Sequence, residues 1–180
     1  PLSMKVAAAP DVHLTYCTTI HPGESWSDLR AILLDRVVAV KRLVAPDRAF
    51  GVGLRVSARA ADELAQPSAR EDLQRILADN ELYVFTINGF PYGNFHATRV
   101  KEAVYRPDWL ESLRASYSET LARLLAALLP DGVDGSVSTV PIAYAPRMNG
   151  APDDELAADA LVAHAAFLRT LHDTTGRTIG

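Results

Sequence analysis

The chain has 180 residues, 48% of them hydrophobic and 22% charged, with a formal net charge of −4. This suits one domain with a substantial core and gives no electrostatic case for binding nucleic acid. A single cysteine, Cys17, excludes an intrachain disulfide and a thiolate metal cluster, and no uninterrupted apolar run is long enough for a membrane helix.

Pro1-Leu2-Ser3 before Met4 reads as a remnant of tag cleavage, which leaves one β/α domain over residues 4–180. The first residues lack the charged and apolar regions of a secretory signal, so the sequence-based expectation is a cytoplasmic protein. A first strand is predicted from Val12 to Thr19, with Cys17 expected as a buried structural thiol, followed by the loop Ile20-His21-Pro22-Gly23-Glu24-Ser25. The next helix is predicted from Trp26 to Val44, because Leu29, Leu33, Val37, Val40 and Val44 recur at helical spacing and Pro46 marks the exit. A second strand is predicted from Gly51 to Ser57. A helical region between Ala60 and Ala78 is broken near Pro67, where Ser68 is the expected cap of a new helix.

Leu82-Tyr-Val-Phe-Thr-Ile-Asn88 is the third strand, and its β-branched and aromatic run predicts cover on both faces. It leads into a loop that gathers Asn88, Tyr92 and His96, with Lys101 and Glu102 beyond, around two glycines and a proline. Loops carried by a rigid sheet often hold chemistry, although Asn-Gly is also a favoured hairpin turn and Phe90, Tyr92 and Phe95 could simply close a core. A third long helix is expected from about Pro107-Asp108 to Pro130, and a fourth strand from Val133 to Pro141. The last helix opens at Pro152-Asp153-Asp154-Glu155, where acidic residues complement the helix dipole, and Gly176 is its terminator.

Alternation of strand and helix predicts a parallel α/β sheet, doubly wound or closed as a barrel. Gly51-Val52-Gly53 begins a strand instead of following one, so it is not a phosphate loop. The polar clusters follow the strands: His21 and Glu24 after the first, Asn88, Tyr92 and His96 after the third, Ser138 and Thr139 at the fourth. In a β/α barrel these loops converge on one face.

Three segments in order carry a family resemblance: His13-Leu-Thr-Tyr-Cys-Thr-Thr-Ile-His21-Pro-Gly-Glu24-Ser-Trp26, Leu82 to His96, and Val100-Lys-Glu-Ala-Val-Tyr-Arg-Pro-Asp-Trp109. Together with Gly135-Ser-Val-Ser-Thr-Val-Pro141 they make the chain resemble EboE, a metabolite-traffic family with a xylose-isomerase-like TIM barrel in the sugar phosphate isomerase/epimerase superfamily. The resemblance implies a full (β/α)8 barrel, and the sequence departs from it by ending after four β/α units, where a fifth strand is due at Thr178-Ile179-Gly180, so the expectation is the N-terminal half of such a barrel. It also implies a divalent metal in the complete barrel, whose acidic and histidine ligands lie on later strands, so no ligand is assigned here. Half a barrel would expose two sheet edges, which predicts a homo-oligomer or a missing C-terminal half.

The implied activity is isomerisation or epimerisation of a small polyhydroxylated or sugar-phosphate-like metabolite, with a noncatalytic metabolite-binding or carrier protein as the alternative and an assembly half as a third. Such chemistry needs a base beside a carbonyl and a group that stabilises the enediolate. The catalytic candidates are His21, Glu24 and His96, and the substrate-binding candidates are Asn88, Tyr92, Lys101, Ser138 and Thr139. Glu24 with Ser25 could equally begin the first helix, and Lys101 could be an ordinary solvated lysine. The three-residue step from His21 to Glu24 does not make a metal site, and Cys17 with His21 is a weak nucleophile and base pair. His13 reads as a packing or boundary residue, and His164 and His172 sit in the last helix, where core, surface or dimer-contact roles are expected ahead of catalysis.

Overall fold

A computed structural model describes residues 4–7, 12–94 and 101–180, without the side chains of Ala7 and Lys101. It opens with an antiparallel pair that periodicity did not reveal, β1 (Lys5–Ala7) and β2 (Val12–His13). Four parallel strands follow, β3 (Tyr16–Cys17), β4 (Phe50–Arg55), β5 (Leu82–Asn88) and β6 (Ser136–Ser138), paired in chain order. Ile179 bridges Gly135 in parallel, so the chain returns beside β6 where a fifth strand was expected.

The helices lie between the strands. Helix α1 (Trp26–Ile32) passes through a π-helical segment (Leu33–Val37) into α2 (Val38–Val44), then come α3 (Ala58–Leu64), α4 (Pro67–Asp79), α5 (Ser112–Leu128) and α6 (Ala151–Thr175). Contacts run α1 to α3, α3 to α5 and α5 to α6, which places neighbouring units side by side. The first helix starts where expected because Ser25 accepts from the Asp28 N–H while Asp28 accepts from Ser25 N–H, a reciprocal cap. Gly176 adopts the left-handed conformation at the end of α6, as a helix stop requires.

Two helix starts differ from expectation. Gln66, not Ser68, caps α4, because Pro67 fits the first helical turn, where its missing N–H costs nothing. Helix α5 begins at Ser112 and not at Pro107-Asp108, because the Asp108 carboxylate is fully buried, accepts from Leu110 N–H at 3.1 Å and pairs with Arg147. That arrangement shapes a turn ahead of the helix.

The two faces of the sheet differ in chemistry. Val52, Leu54 and Val56 on β4 and just beyond, with Val84 and Ile87 on β5, are fully buried in a core shared with Leu33, Leu64, Leu73, Leu121 and Leu125 of the helices. Residues in alternate positions, Gly53 and Arg55 on β4, Thr86 and Asn88 on β5, and Ser136 and Ser138 on β6, occupy the other face. The expected cover of β5 on both faces holds at its start, where Leu82, Tyr83 and Val84 are all buried, and ends at a bulge. The register slips so that Val52 faces Val84 while Gly53 faces Thr86, leaving Phe85 as an inserted residue. Phe85 and Tyr83 lie against His13, which hydrogen-bonds Tyr83 Oη at 3.1 Å, so the amino-terminal segment covers this end of the face. Beyond Thr86 the face is polar. Cys17, expected to be buried, is exposed there because it pairs with Gly53 and not with Val52.

Two glycines permit close approach of backbone. A Cβ on Gly51 would stand 2.3 Å from the Leu14 carbonyl, and one on Gly89 would stand 2.6 Å from the Ser138 carbonyl. Gly89 N–H donates to that same carbonyl at 3.0 Å, which extends the β5–β6 pairing past Asn88. A second small cluster, Trp109, Val140 and Ala157, ties the start of α6 to the turn before α5.

Candidate functional site

The carboxyl ends of β3, β5 and β6 meet at Asn88. Its amide Nδ2 donates to Thr19 Oγ1 at 3.0 Å, and its Oδ1 accepts from Ser138 Oγ at 2.7 Å and from Phe90 N–H at 3.2 Å. Thr19 in turn shares a 3.0 Å contact with Cys17 Sγ. One amide on β5 thus joins a side chain of β6 to one in the 3₁₀ turn after β3, while its contact with Phe90 shapes the peptide that leaves β5. Ser136 and Thr86, bonded at 2.9 Å, continue the polar strip down the face. The strip is uncharged and mixes donors with acceptors, which suits hydroxyl groups better than a carboxylate or phosphate.

Arg55, which the sequence reading missed, organises the loops around this cluster. Its Nη1 donates to Gly23 O at 2.7 Å and Glu24 Oε1 at 2.8 Å, and its Nη2 donates to Gly93 O at 2.8 Å and Glu24 Oε2 at 3.3 Å. Ser57 Oγ donates to Glu24 O at 2.5 Å and also caps α3 by accepting from Ala60 N–H. The loops after β3, β4 and β5 are therefore fastened together. The signal available in sequence was a charged residue ending an otherwise apolar strand, Val52-Gly53-Leu54-Arg55-Val56. Glu24, expected as a base, is the bidentate partner of this buried guanidinium, whose side chain is 3% exposed.

A second buried arginine holds the β5 exit. Arg114 is fully buried on α5, with Nε donating to Pro107 O at 2.8 Å and Nη1 to Gly89 O at 2.9 Å. Burial pulls its pKa down, while nearby Tyr117, Tyr92, Asp108 and Glu111 oppose that pull. Tyr92, expected to bind substrate, sets its ring edge-on to Tyr117 at 4.9 Å, and Arg114 lies over both rings. Tyr117 donates its hydroxyl to Val56 O, and burial raises its pKa. Tyr92 is thus part of the packing behind the site.

The remaining candidates separate. His21 bonds Tyr16 Oη through Nε2 at 2.9 Å, and Tyr16 pairs with Val52, on the helix-covered side. There His21 lines a cleft with Asp28, Asp35 and Arg36, so it does not join Asn88. Thr139, next to Ser138 in an extended chain, faces a cavity beside α5 and α6 instead. His96 lies outside the described residues, as does the side chain of Lys101; the backbone of Lys101 begins a 3₁₀ turn, Lys101–Tyr105. His13 is a packing residue against Tyr83 and Phe85.

Among the described residues no group of three or more His, Cys, Asp and Glu side chains is placed to hold a metal ion. The donors that meet at the strand ends are two hydroxyls, an amide and a thiol, with the Glu24 carboxylate held by Arg55, and this set does not fit a divalent cation. Among the described residues no helix is long and apolar enough to cross a membrane. Comparison of the chain with known protein families, with characterised proteins and with solved structures finds no match.

Proposed function

We propose that the protein binds a small polyhydroxylated metabolite at the carboxyl ends of its parallel strands. The observation that carries this reading is the Asn88 amide, which gathers Thr19 from the turn after β3 and Ser138 from β6 into one uncharged donor and acceptor strip. Ligands of parallel α/β sheets bind beyond the carboxyl ends of the strands, whether the sheet is open or closed. The chain-order pairing of the strands and the helix contacts in chain order support a barrel-type sheet of the kind expected from the EboE resemblance. Binding or carriage of the metabolite is the reading favoured by the described side chains, because Glu24, the carboxylate nearest the role of a base, already neutralises Arg55.

Isomerisation or epimerisation is the second reading, supported by the likeness of the strand-end segments to the isomerase-like family. It requires Glu24 to exchange Arg55 for substrate, or His96 to act as the base. Self-association through the outer edge of β3, which among the described residues pairs only with β4 in its sheet, belongs to the same proposal and is tested by light scattering.

Calorimetric titration of the full chain with a panel of free and phosphorylated polyols distinguishes these readings. Asn88→Ala and Ser138→Ala are expected to weaken the best ligand by about tenfold or more, as loss of a site's paired polar contacts to a ligand hydroxyl does. His172→Ala, on the far end of α6, is expected to leave affinity unchanged. Equal losses at all three positions would remove the site assignment. Conversion of the bound polyol, followed by NMR, would move the reading from carriage to isomerisation.

A further inference from the structure

On the helix-covered side of β6 a cavity of about 140 Å³ lies between α5, α6 and the strand, lined by Trp109, Ser118, Val137, Thr139, His164 and Leu168 among others. Proteins accommodate a single six-membered ring in a space of this size. Two nitrogens belonging to its wall residues, Trp109 Nε1 and His164 Nδ1, are buried without a hydrogen-bond partner among the described residues. Trp109 is only 3% exposed, and its indole faces the His164 imidazole with ring centroids 5.3 Å apart. Buried polar groups in folded proteins almost always find partners, so two orphans on one cavity wall mark a place where a partner is to be supplied.

The chemistry of that partner follows from the lining. An indole N–H can only donate, and a neutral imidazole offers one donor and one acceptor. Burial holds the His164 pKa below its ordinary value, against a weaker opposing influence of Glu119, which keeps the ring neutral at pH 7. No charged side chain lines the cavity among the described residues, while Val137, Leu161 and Leu168 give it an apolar wall. A carboxylate or an ammonium would lose its hydration there with only neutral hydrogen-bonding groups to offset it.

We propose that this cavity is a binding site for a small neutral hydroxylated ring compound, whose hydroxyl chemistry satisfies Trp109 Nε1 and His164 Nδ1 while its apolar body fills the space against Val137 and Leu168. The site is separate from the Asn88 cluster: Val137 and Thr139 alternate away from Ser138, so the two sites lie on opposite faces of the sheet. The inference stands whether or not the strand-end reading holds.

Phenol is the probe, and the indole N–H signals of the uniformly ¹⁵N-labelled full chain are the readout. The chain has two tryptophans, and Trp26→Phe assigns the Trp109 signal without touching the cavity. Phenol is expected to shift the Trp109 N–H saturably, with roughly millimolar affinity, and to leave Trp26 unmoved. Benzene, which can satisfy neither nitrogen, is expected to bind about tenfold more weakly or worse. Ala122→Val, which adds methyl groups at the cavity wall while keeping Trp109 as reporter, is expected to abolish the phenol shift. A phenol shift that never saturates, benzene binding as tight as phenol, or a response that survives Ala122→Val would each overturn the proposal and leave a space filled by water or by nothing specific.

Discussion

Arg55 and Arg114 are both buried beside the strand ends, yet Arg55 meets a carboxylate and Arg114 meets carbonyls and aromatic rings. Arg55 therefore forms an ion pair with added backbone contacts, and removal of either partner leaves the other exposed to the full cost of its burial. Arg114 has one guanidinium nitrogen, Nη2, without a hydrogen-bond partner among the described residues, and its desolvation is offset mainly by two carbonyls and the π-faces of Tyr92 and Tyr117. The difference teaches that burial alone does not measure how much a charge supports the fold; what matters is what the charge would strand if it were removed.

The sharpest way to break this comparison is Arg55→Ala. It is expected to destabilise by about 3–5 kcal/mol in urea unfolding, because Glu24 loses its partner and three loops lose their tie. Glu24→Gln keeps the shape but removes the countercharge, and about 2 kcal/mol is expected by the same measurement. Arg114→Met exchanges an incompletely satisfied cation for an apolar side chain of similar length, and a loss of only about 1 kcal/mol is expected. A cost at Arg114 equal to that at Arg55 would show that the tyrosine stack stabilises the cation as well as a carboxylate does. Asn88→Ala, at a half-buried strand end, is expected to cost under about 1 kcal/mol of stability while affecting binding, which separates site from scaffold.

The smallest effect is expected in the pH profile. His164 has a folded pKa lowered from its ordinary 6.5 by burial, so above 6.5 both folded and unfolded rings are neutral and the residue contributes no slope. As pH falls from 6.5 toward the lowered folded value, the unfolded chain takes up the proton first and stability declines. His164→Phe is expected to flatten that part of a urea-midpoint profile between pH 7 and 5. Asp28 and Glu63, whose pKa values are lowered chiefly by backbone N–H groups at the start of α1, lose their contributions further toward acid, as pH falls through their own folded values.

Much of the scaffold was legible because single-period patterns carried it. Leu29, Leu33 and Val37 announced the first helix, the β-branched run announced β5, and Gly176 announced the end of α6. Asn88 and Ser138 were legible as polar residues at strand ends, and the structure brings them together. The partners that define the site were not legible. Arg55 and Glu24 are separated by 31 positions, and nothing local in either residue reveals the pairing. The bulge at Phe85 was hidden because an inserted aromatic residue continues the apolar run without a break, and Tyr92 looked like a ligand because an aromatic ring in a polar loop resembles a binding group until its packing against Tyr117 is known. Thr139 fell to the opposite side from Ser138 by simple alternation, a distinction that naming them as a pair had overlooked.

The Arg55 guanidinium reaches Gly23 and Gly93 as well as Glu24, and Ser57 completes the ring by holding the Glu24 carbonyl. Three loops joined at one planar group cannot open independently. In hydrogen exchange their amides would share a single opening event, and a ligand that quieted one loop would slow exchange in the other two without touching them. The plane of one side chain thus makes the rim of the sheet a single cooperative unit, whose response to a bound molecule is set by the strength of its shared fastening and not by the length of any one loop.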